Sequence, residues 1–505
     1  MFLKKNLLCF LLFVTVATLF IGVAFTSADF FTSPVYRLKD RFILFVQWGI
    51  LILALFPVIY LIALNRYLFS LFYPLLCIFS SILTYFRYAT GTTFTTMILD
   101  AAWDNDIHIS LELVSLGLIV IVLSSLLVGV LFCVYRFKKI QHPNRVYLHY
   151  LMAFVLCLVM FNVPRIKRPV SERIPFNLYY ITARYISEKN EILTERNILT
   201  ENVVCEGEEN LLVVLIIGES LRSDHLGLNG YERNTTPYLS QEDIISFPHI
   251  YSEYTHTNAS LPHILTRADS LHPDWANEER SFIDLFKQCN YYTVWLANQE
   301  PAKTYIYFMK ECDTLIYANA NKSPYVFDKW TDGDLLPFFN SFIEKEEKKL
   351  FILMHTIGSH WYYNSHFPDE FQKYNPIAKS RIVNANTPEE MINSYDNTVL
   401  YTDYFVYEII SQLRNRNAIL FYLSDHGEVL GENGAWLHAI DATPTHYPAC
   451  LIWMSPQYKE KNPSKYDTLQ MNKEKRYRTD FLFHTILDAA KIQSNVIDEK
   501  FSLFH

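Results

Sequence analysis

A strong net charge is missing from this chain. Lysine and arginine total 44 against 52 aspartates and glutamates, a formal balance of -8 over 505 residues, which gives no electrostatic case for nucleic acid as a partner. Charge of either sign is also scarce. Asp, Glu, Lys and Arg make up 19% of the residues, against 50% hydrophobic and 16% aromatic. That is rich for a soluble enzyme, and the excess is concentrated at the N-terminus. Zinc-type cysteine spacing is absent as well. Cys9, Cys77, Cys133 and Cys157 lie in apolar runs, where a thiol acts as a small hydrophobe, while Cys205, Cys289, Cys312 and Cys450 are scattered through the C-terminal part. Cys289 and Cys312 are the pair considered for a disulfide, and their spacing alone does not decide it.

The length allows two or more domains. Five apolar segments stand out, at about 6–26, 43–64, 67–86, 111–135 and 147–162, most of them near the ~20 residues that cross a bilayer as helix. Lys4 and Lys5 before the first run and Thr26-Ser27-Ala28 after it resemble a signal peptide. The apolar stretch exceeds the roughly 7–15 residues of such peptides, so it reads as an anchor. Basic residues balance on the two sides of the membrane. The cluster Arg136, Lys138, Lys139 and Arg145 favours an inward N-terminus, which places residues after about 165 outside the cytoplasm. The stretch 88–110 has no Lys or Arg but carries Asp100, Asp104, Asp106 and His108. It reads as a membrane-surface loop, with a solvated loop as the alternative.

Residues 163–207 read as a bridge. Pro164, Pro169 and Pro175 interrupt any early helix. Leu178, Ile181, Tyr185 and Ile186 then recur at helical spacing, as in an interfacial amphipathic helix. From 208 onward, apolar runs alternate with amphipathic segments, the pattern of a doubly wound α/β domain. Four runs end in polar residues: Leu211–Ile217 at Glu219, Tyr292–Leu296 before Asn298, Gln299 and Lys303, Leu350–Met354 at His355 and His360, and Ala418–Leu423 at Asp425, His426 and Glu428. Strand ends on one edge of a sheet converge on a common site.

Glu219, Asp425 and His426 offer carboxylate oxygen and imidazole nitrogen, which suit Zn²⁺ or Mn²⁺ without any thiolate. A hydroxyl nucleophile is sought in Tyr254-Thr255-His256-Thr257-Asn258-Ala259-Ser260-Leu261-Pro262, where Thr255, Thr257 and Ser260 all qualify. A metal-bound hydroxyl has a lowered pKa and attacks phosphorus or sulfur at neutral pH. His360 and His438 remain as groups able to protonate a leaving group or hold a phosphoryl oxygen.

At this point a resemblance enters. Gly218-Glu219-Ser220 with Arg222, Asp224-His225 and Asn229-Gly230-Tyr231-Glu232-Arg233-Asn234-Thr235-Thr236-Pro237 resembles the phosphoethanolamine transferases of Gram-negative inner membranes, the family that includes the colistin-resistance enzymes. The likeness continues through Thr257 to Pro262, Gly358-Ser359-His360, Asn393 to Asn397, and Ser424 to Glu428, ending at Gly431 to Gly434 and His438. It implies a five-helix transmembrane domain (1–162), a bridging segment (163–207) and an alkaline-phosphatase/sulfatase-like α/β/α sandwich with a mostly parallel sheet (208–505). It further implies that Thr257 is the nucleophile and that Glu219, Thr257, Asp425 and His426 hold zinc, ahead of Mn²⁺. Lys303, His360 and His438 would hold the phosphoryl group and substrate, with His355 as a further site histidine. The implied activity moves phosphoethanolamine from phosphatidylethanolamine to lipid A or another envelope glycan, by a single copy of the chain in the inner membrane with its catalytic domain in the periplasm.

Some positions depart from the family's pattern. Glu253 and His263 stand where many members have a cysteine pair, and Asp100, Asp104 and His108 replace the spaced Asn, Thr and Glu of the membrane-surface loop. In Ser260-Leu261-Pro262-His263-Ile264, Ile264 stands where a true sulfatase needs Arg. A polyglycerol-phosphate (lipoteichoic-acid-type) synthase is the alternative enzyme. The intact Glu219, Thr257, Asp425 and His426 weigh against a non-enzymatic membrane sensor.

Overall fold

A computed structural model describes residues 2–31, 37–90, 94, 95, 99, 116–191, 196–322, 329–344, 349–381 and 383–505. The chain forms two compact units that divide at Asn190 and Glu191, with a short segment from Ala320 grouping with the first. In that first unit four described helices are long and apolar enough to cross a bilayer: Asn6–Ala24 within α1 (Phe2–Ala24), α2 (Leu38–Ala63), Arg66–Tyr88 within α3 (Arg66–Thr90) and α4 (Leu116–Lys139). The expected fifth span, α5 (Val146–Asn162), has 17 residues and meets α6 (Pro164–Ser171) at an 81° bend. At ~1.5 Å per residue α5 covers roughly 25 Å, slightly less than the hydrocarbon core. Four or five apolar helices followed by a soluble domain make this a membrane protein.

Arg136 of α4 shows how a charge is tolerated in the first unit. It is 3% exposed, and its guanidinium donates to the Ala63 carbonyl at 2.9 and 2.8 Å and to the Ile140 carbonyl at 2.7 Å. These bonds satisfy carbonyls at a helix end that have no partner within the helix. Helix α6 corrects the expectation that its prolines preclude helix. Pro164 sits in the first turn, where no N–H is needed. The amphipathic helix is present as α7 (Asn177–Glu191), with Ile181 and Tyr185 buried and Tyr179 and Ile186 exposed. Asp100, Asp104, Asp106 and His108 lie outside the described residues.

The second unit is built on a seven-stranded sheet. Its strands are β1 (Leu212–Gly218), β2 (Ile244–Ser246), β3 (Tyr292–Ala297), β4 (Thr314–Tyr317), β5 (Leu350–His355), β6 (Ala418–Ser424) and β7 (Cys450–Met454), in spatial order β2-β7-β6-β1-β5-β3-β4. From β6 to β4 every pairing is parallel, while β7 runs antiparallel to both of its neighbours. All seven residues of β1 are buried, as a central strand covered on both faces requires. Val213, Leu215 and Ile217 pack into one core with Phe282, Phe286 and Phe483, and Val214 and Ile216 pack into the other with Val399, Val406 and Ile409. The last three come from α8 (Pro388–Leu413), whose start is fixed by a reciprocal capping box between Thr387 and Glu390.

Register decides what happens at the carboxyl edge. Gly218 pairs with Ser424, and Ile217 and Ala297 both pair with His355. The four strand ends singled out in the sequence therefore finish level with one another.

A disulfide joins Cys205 to Cys289, 84 residues apart, and Cys312 is a buried free thiol. The Cys289–Cys312 pair considered from sequence is thus replaced by a longer closure. Replacing Cys205 and Cys289 together by Ser is expected to cost about 2–4 kcal/mol, by loss of the restraint on the unfolded chain. The urea midpoint of the detergent-solubilised protein checks this, and dithiothreitol should reproduce the loss in the wild type.

A second prediction concerns acid. Burial pushes the His484 imidazole down to about 4, and its Nδ1 accepts the Asp498 N–H at 3.0 Å, which a protonated ring cannot do. The unfolded chain takes up this proton below about pH 6.5 and the folded chain does not until about pH 4, so stability is full above 6.5 and falls as pH drops through that window. His484→Gln, whose amide oxygen can accept the same N–H, should recover roughly 1–3 kcal/mol of the loss between pH 7.5 and pH 4.5. Unfolding midpoints at the two pH values check it.

Candidate active site and metal centre

Beyond β1 the chain turns sharply. Glu219 is followed by Ser220 at φ 57°, and the Ser220 carbonyl is held by the Tyr395 hydroxyl at 2.7 Å, which in turn accepts the Arg222 N–H at 2.8 Å. Gly358, in the turn after β5, passes close beneath. It has φ +46°, and a Cβ there would stand 2.9 Å from the Glu219 carbonyl oxygen and 3.0 Å from its nitrogen, so no side chain fits. That turn is fixed by the buried Asp332, whose oxygens accept the Ile357 and Gly358 N–H groups at 2.8 and 3.0 Å and the Asn298 amide at 2.7 Å.

The Glu219 carboxylate is fully buried. Its Oε1 accepts the Ser220 hydroxyl at 2.8 Å, and its Oε2 accepts the Thr257 hydroxyl at 2.8 Å and the Gln299 amide at 2.9 Å. Thr257 opens the helix Thr257–Leu265. Of the three hydroxyls left open in the sequence, Thr257 is the one bonded to Glu219. Ser260 is turned to the His256 carbonyl at 3.1 Å.

Asp425 and His426 lie beside Glu219, both fully buried. His426 Nδ1 is 2.8 Å from the Gly427 carbonyl and acts as the donor to it, which leaves Nε2 with a lone pair. That Nε2 stands 3.4 Å from Glu219 Oε1 and 3.5 Å from Asp425 Oδ2. Both Nε2 and Asp425 Oδ2 are buried atoms without a hydrogen-bond partner. A buried carboxylate oxygen and a buried imidazole nitrogen, both unpartnered and close together, fit the ligand chemistry of a divalent cation. Glu219, His426 and His438 each also offer an atom within 4.8 Å of the others, which makes these three an alternative possible metal site.

Electrostatics agree with the geometry. Burial favours the neutral acid of Glu219, but His426, His360 and His438 outweigh it and hold the carboxyl well below its usual range. Burial, then the Glu219 charge, pushes Asp425 up to about 7. Burial opposes a charged His426, yet Asp425 and Glu219 raise it to about 10. The cluster thus gathers protons where a divalent cation would otherwise supply the positive charge.

His438 and His360 face the cluster, with ring centres 5.8 Å apart and His438 4.7 Å from His426. His438 Nδ1 lies 3.0 Å from Glu428 Oε2, and the buried Tyr363 hydroxyl donates to Glu428 Oε1 at 2.7 Å. Burial works against a charged His438, but the Glu428 bond prevails and its pKa is raised, whereas burial lowers that of His360. His355 is buried edge-on against Trp295 and Tyr305, with no hydrogen-bond partner on either ring nitrogen and a pKa pushed down to about 4 by burial. Lys303 is exposed beyond the β3 turn. Gln299, Ser220 and Glu428 touch site groups although the sequence assigned them no role. Each lies within two residues of a strand end or site residue, and Tyr395 lies in the Asn393 to Asn397 motif, whereas Asp332 carried no local signal.

The chain is similar over part of its length to the phosphoethanolamine transferase EptA of Salmonella typhimurium, at 32% identity over 314 residues, which cover 58% of this chain and 55% of that protein. The match therefore spans about half the length of that relative. The integral membrane protein lipooligosaccharide phosphoethanolamine transferase A (EptA) from Neisseria meningitidis shares the fold, at 23% identity and a TM-score of 0.57 over 97% of both chains, and its soluble domain alone superposes at 28% identity and a TM-score of 0.56, covering 61% of this chain and 97% of that one. The C-terminal periplasmic domain of EptC from Escherichia coli, in complex with Zn, superposes with a TM-score of 0.56 at 25% identity, covering 62% of this chain and 90% of that one. The sulfatase family model matches residues 212–492, from the first residue of β1 to beyond β7, and by that match the chain belongs to the sulfatase family.

Proposed function

We propose that the protein is a phosphoethanolamine transferase that carries the group from phosphatidylethanolamine to lipid A or another envelope glycan through Thr257. The observation that carries this reading is the Thr257 hydroxyl, 2.8 Å from Glu219 and beside the orphaned Asp425 Oδ2 and His426 Nε2. Glu219, Asp425 and His426, with Thr257 as the fourth group, are the residues that would hold Zn²⁺. Zinc bound there supplies the positive charge that lowers the hydroxyl's pKa.

The chain's own residues then divide the work. Thr257 releases its hydroxyl proton to water, and its Oγ1 forms a bond to phosphorus as the bond from phosphorus to the diacylglycerol oxygen breaks, leaving phosphoethanolamine on Thr257. His438, its pKa raised, gives its proton to that departing oxygen, and Glu428 steadies the ring through Nδ1. His360, held neutral by burial, is suited to accept the proton of the incoming acceptor hydroxyl or phosphate. That oxygen bonds to phosphorus and Thr257 Oγ1 leaves. The N-terminus of the Thr257–Leu265 helix offers N–H groups toward the phosphoryl oxygens. Lys303 is assigned to the outer part of the substrate.

A location in the cell goes with this reading. The Cys205–Cys289 disulfide suits an oxidising compartment, so the soluble domain is assigned to the periplasm and the helices to the inner membrane. The named transferases at about 30% identity favour this activity over a polyglycerol-phosphate synthase.

Thr257→Ala should abolish a phosphoethanolamine-sized mass gain on envelope lipids of expressing cells, a drop of about 10³-fold or more. An equal gain in wild type and variant, read by lipid mass spectrometry, would sink Thr257 as nucleophile. The metal set is tested separately by metal analysis of purified full-length protein. Glu219→Ala and Asp425→Asn should each lose zinc, whereas His438→Gln should keep most of it and lose transfer by about 10²-fold. Zinc lost from His438→Gln but kept in Asp425→Asn would reassign the ligands.

A further inference from the structure

The segment carrying His438 is bent into a conformation that side chains resist. Leu437 and Ala439, its immediate neighbours, have φ of 74° and 60°, the left-handed region where a Cβ crowds the backbone and glycine or asparagine is the usual occupant. Such residues persist where the surroundings over-determine them, and they cluster at functional sites. On one side, Trp436 and Leu437 pair with Leu430 and Val429. On the other, the Thr445 hydroxyl reaches the Ile440 and Ala442 carbonyls, at 2.9 and 2.7 Å. Between these anchors, the Ala439 N–H donates to the Thr255 carbonyl at 2.9 Å.

Thr255 lies two residues before Thr257, in a loop held further back by the Ser252 N–H on the His446 carbonyl at 2.8 Å and by the Ser252 hydroxyl on the Tyr254 carbonyl at 2.8 Å. Neither Thr257 nor His438 sits on a strand of the main sheet. The sheet register that levels Glu219 with Asp425 therefore does not set the separation of the hydroxyl and the imidazole.

We propose that Ala439 is a positioning residue: its left-handed backbone and its N–H bond to Thr255 tie the His438 loop to the Thr257 loop, so that both groups are presented as one unit. The role of the tie rests on the reading of Thr257 as nucleophile and His438 as acid. The tie itself rests only on backbone geometry.

Two variants of the full-length protein in detergent micelles test it. Ala439→Pro removes the N–H and cannot adopt a positive φ, whereas Ala439→Gly keeps the N–H in a residue at ease in the left-handed region. Hydrogen exchange read by mass spectrometry should show the amides of 254–258 and 437–440 speeding up together in the proline variant, by about tenfold, with β1 and β6 unchanged. The glycine variant should match the wild type. Faster exchange confined to 437–440, or no change at all, overturns the tie. Turnover of a fluorescent phosphatidylethanolamine should then fall about tenfold in kcat for the proline variant, with KM within about twofold, and return in the glycine variant. An unchanged kcat overturns the positioning role. Absence of turnover in the wild type would instead sink the transfer reading, leaving the exchange result to judge the tie.

Discussion

Glu219 and Asp425 are two carboxylates taken fully out of water within reach of a single imidazole. Burying one charge is costly, and burying two of the same sign side by side is worse. Much of the surrounding structure can be understood as the response. Ser220, Thr257 and Gln299 each donate to Glu219, and Asp425 Oδ1 accepts the His426 and Ser220 N–H groups at 2.8 and 3.3 Å. These bonds do not reach Asp425 Oδ2 or His426 Nε2. The remaining imbalance has the sign, place and donor chemistry of a divalent cation.

That constraint also explains why the scaffold around the site is so polar and yet so well buried. Asp332 braces the Gly358 turn, Tyr395 braces Ser220, and Tyr363 braces Glu428. Such supports do not touch a reacting atom. They keep donors within a few tenths of an ångström of where they are needed, which a loosely held site cannot do.

Much of this was legible in the residues. Apolar runs located β1, β3, β5 and β6 to within a residue or so, because strands buried on both faces must be almost wholly hydrophobic. The polar residues at their ends, Glu219, Asp425 and His426, are at the site. What could not be read depended on contacts distant in sequence. Cys205 finds Cys289 across 84 residues, and Asp332 reaches the site from a turn with no local motif. Pro164 misled in the other direction, since the rule against proline in helices does not apply to a first turn. Spacing left Thr255, Thr257 and Ser260 open, the family resemblance implied Thr257, and of the three it is Thr257 whose hydroxyl is bonded to Glu219.

The level strand ends have a consequence for how the protein matures. Glu219 and Asp425 lie just beyond the ends of the neighbouring parallel strands β1 and β6, and the Ser220 N–H reaches Asp425 across 205 residues of chain. The two buried carboxylates therefore come together only once β1 and β6 have paired, so the cost of placing like charges side by side falls on the assembled core and not on any early fragment.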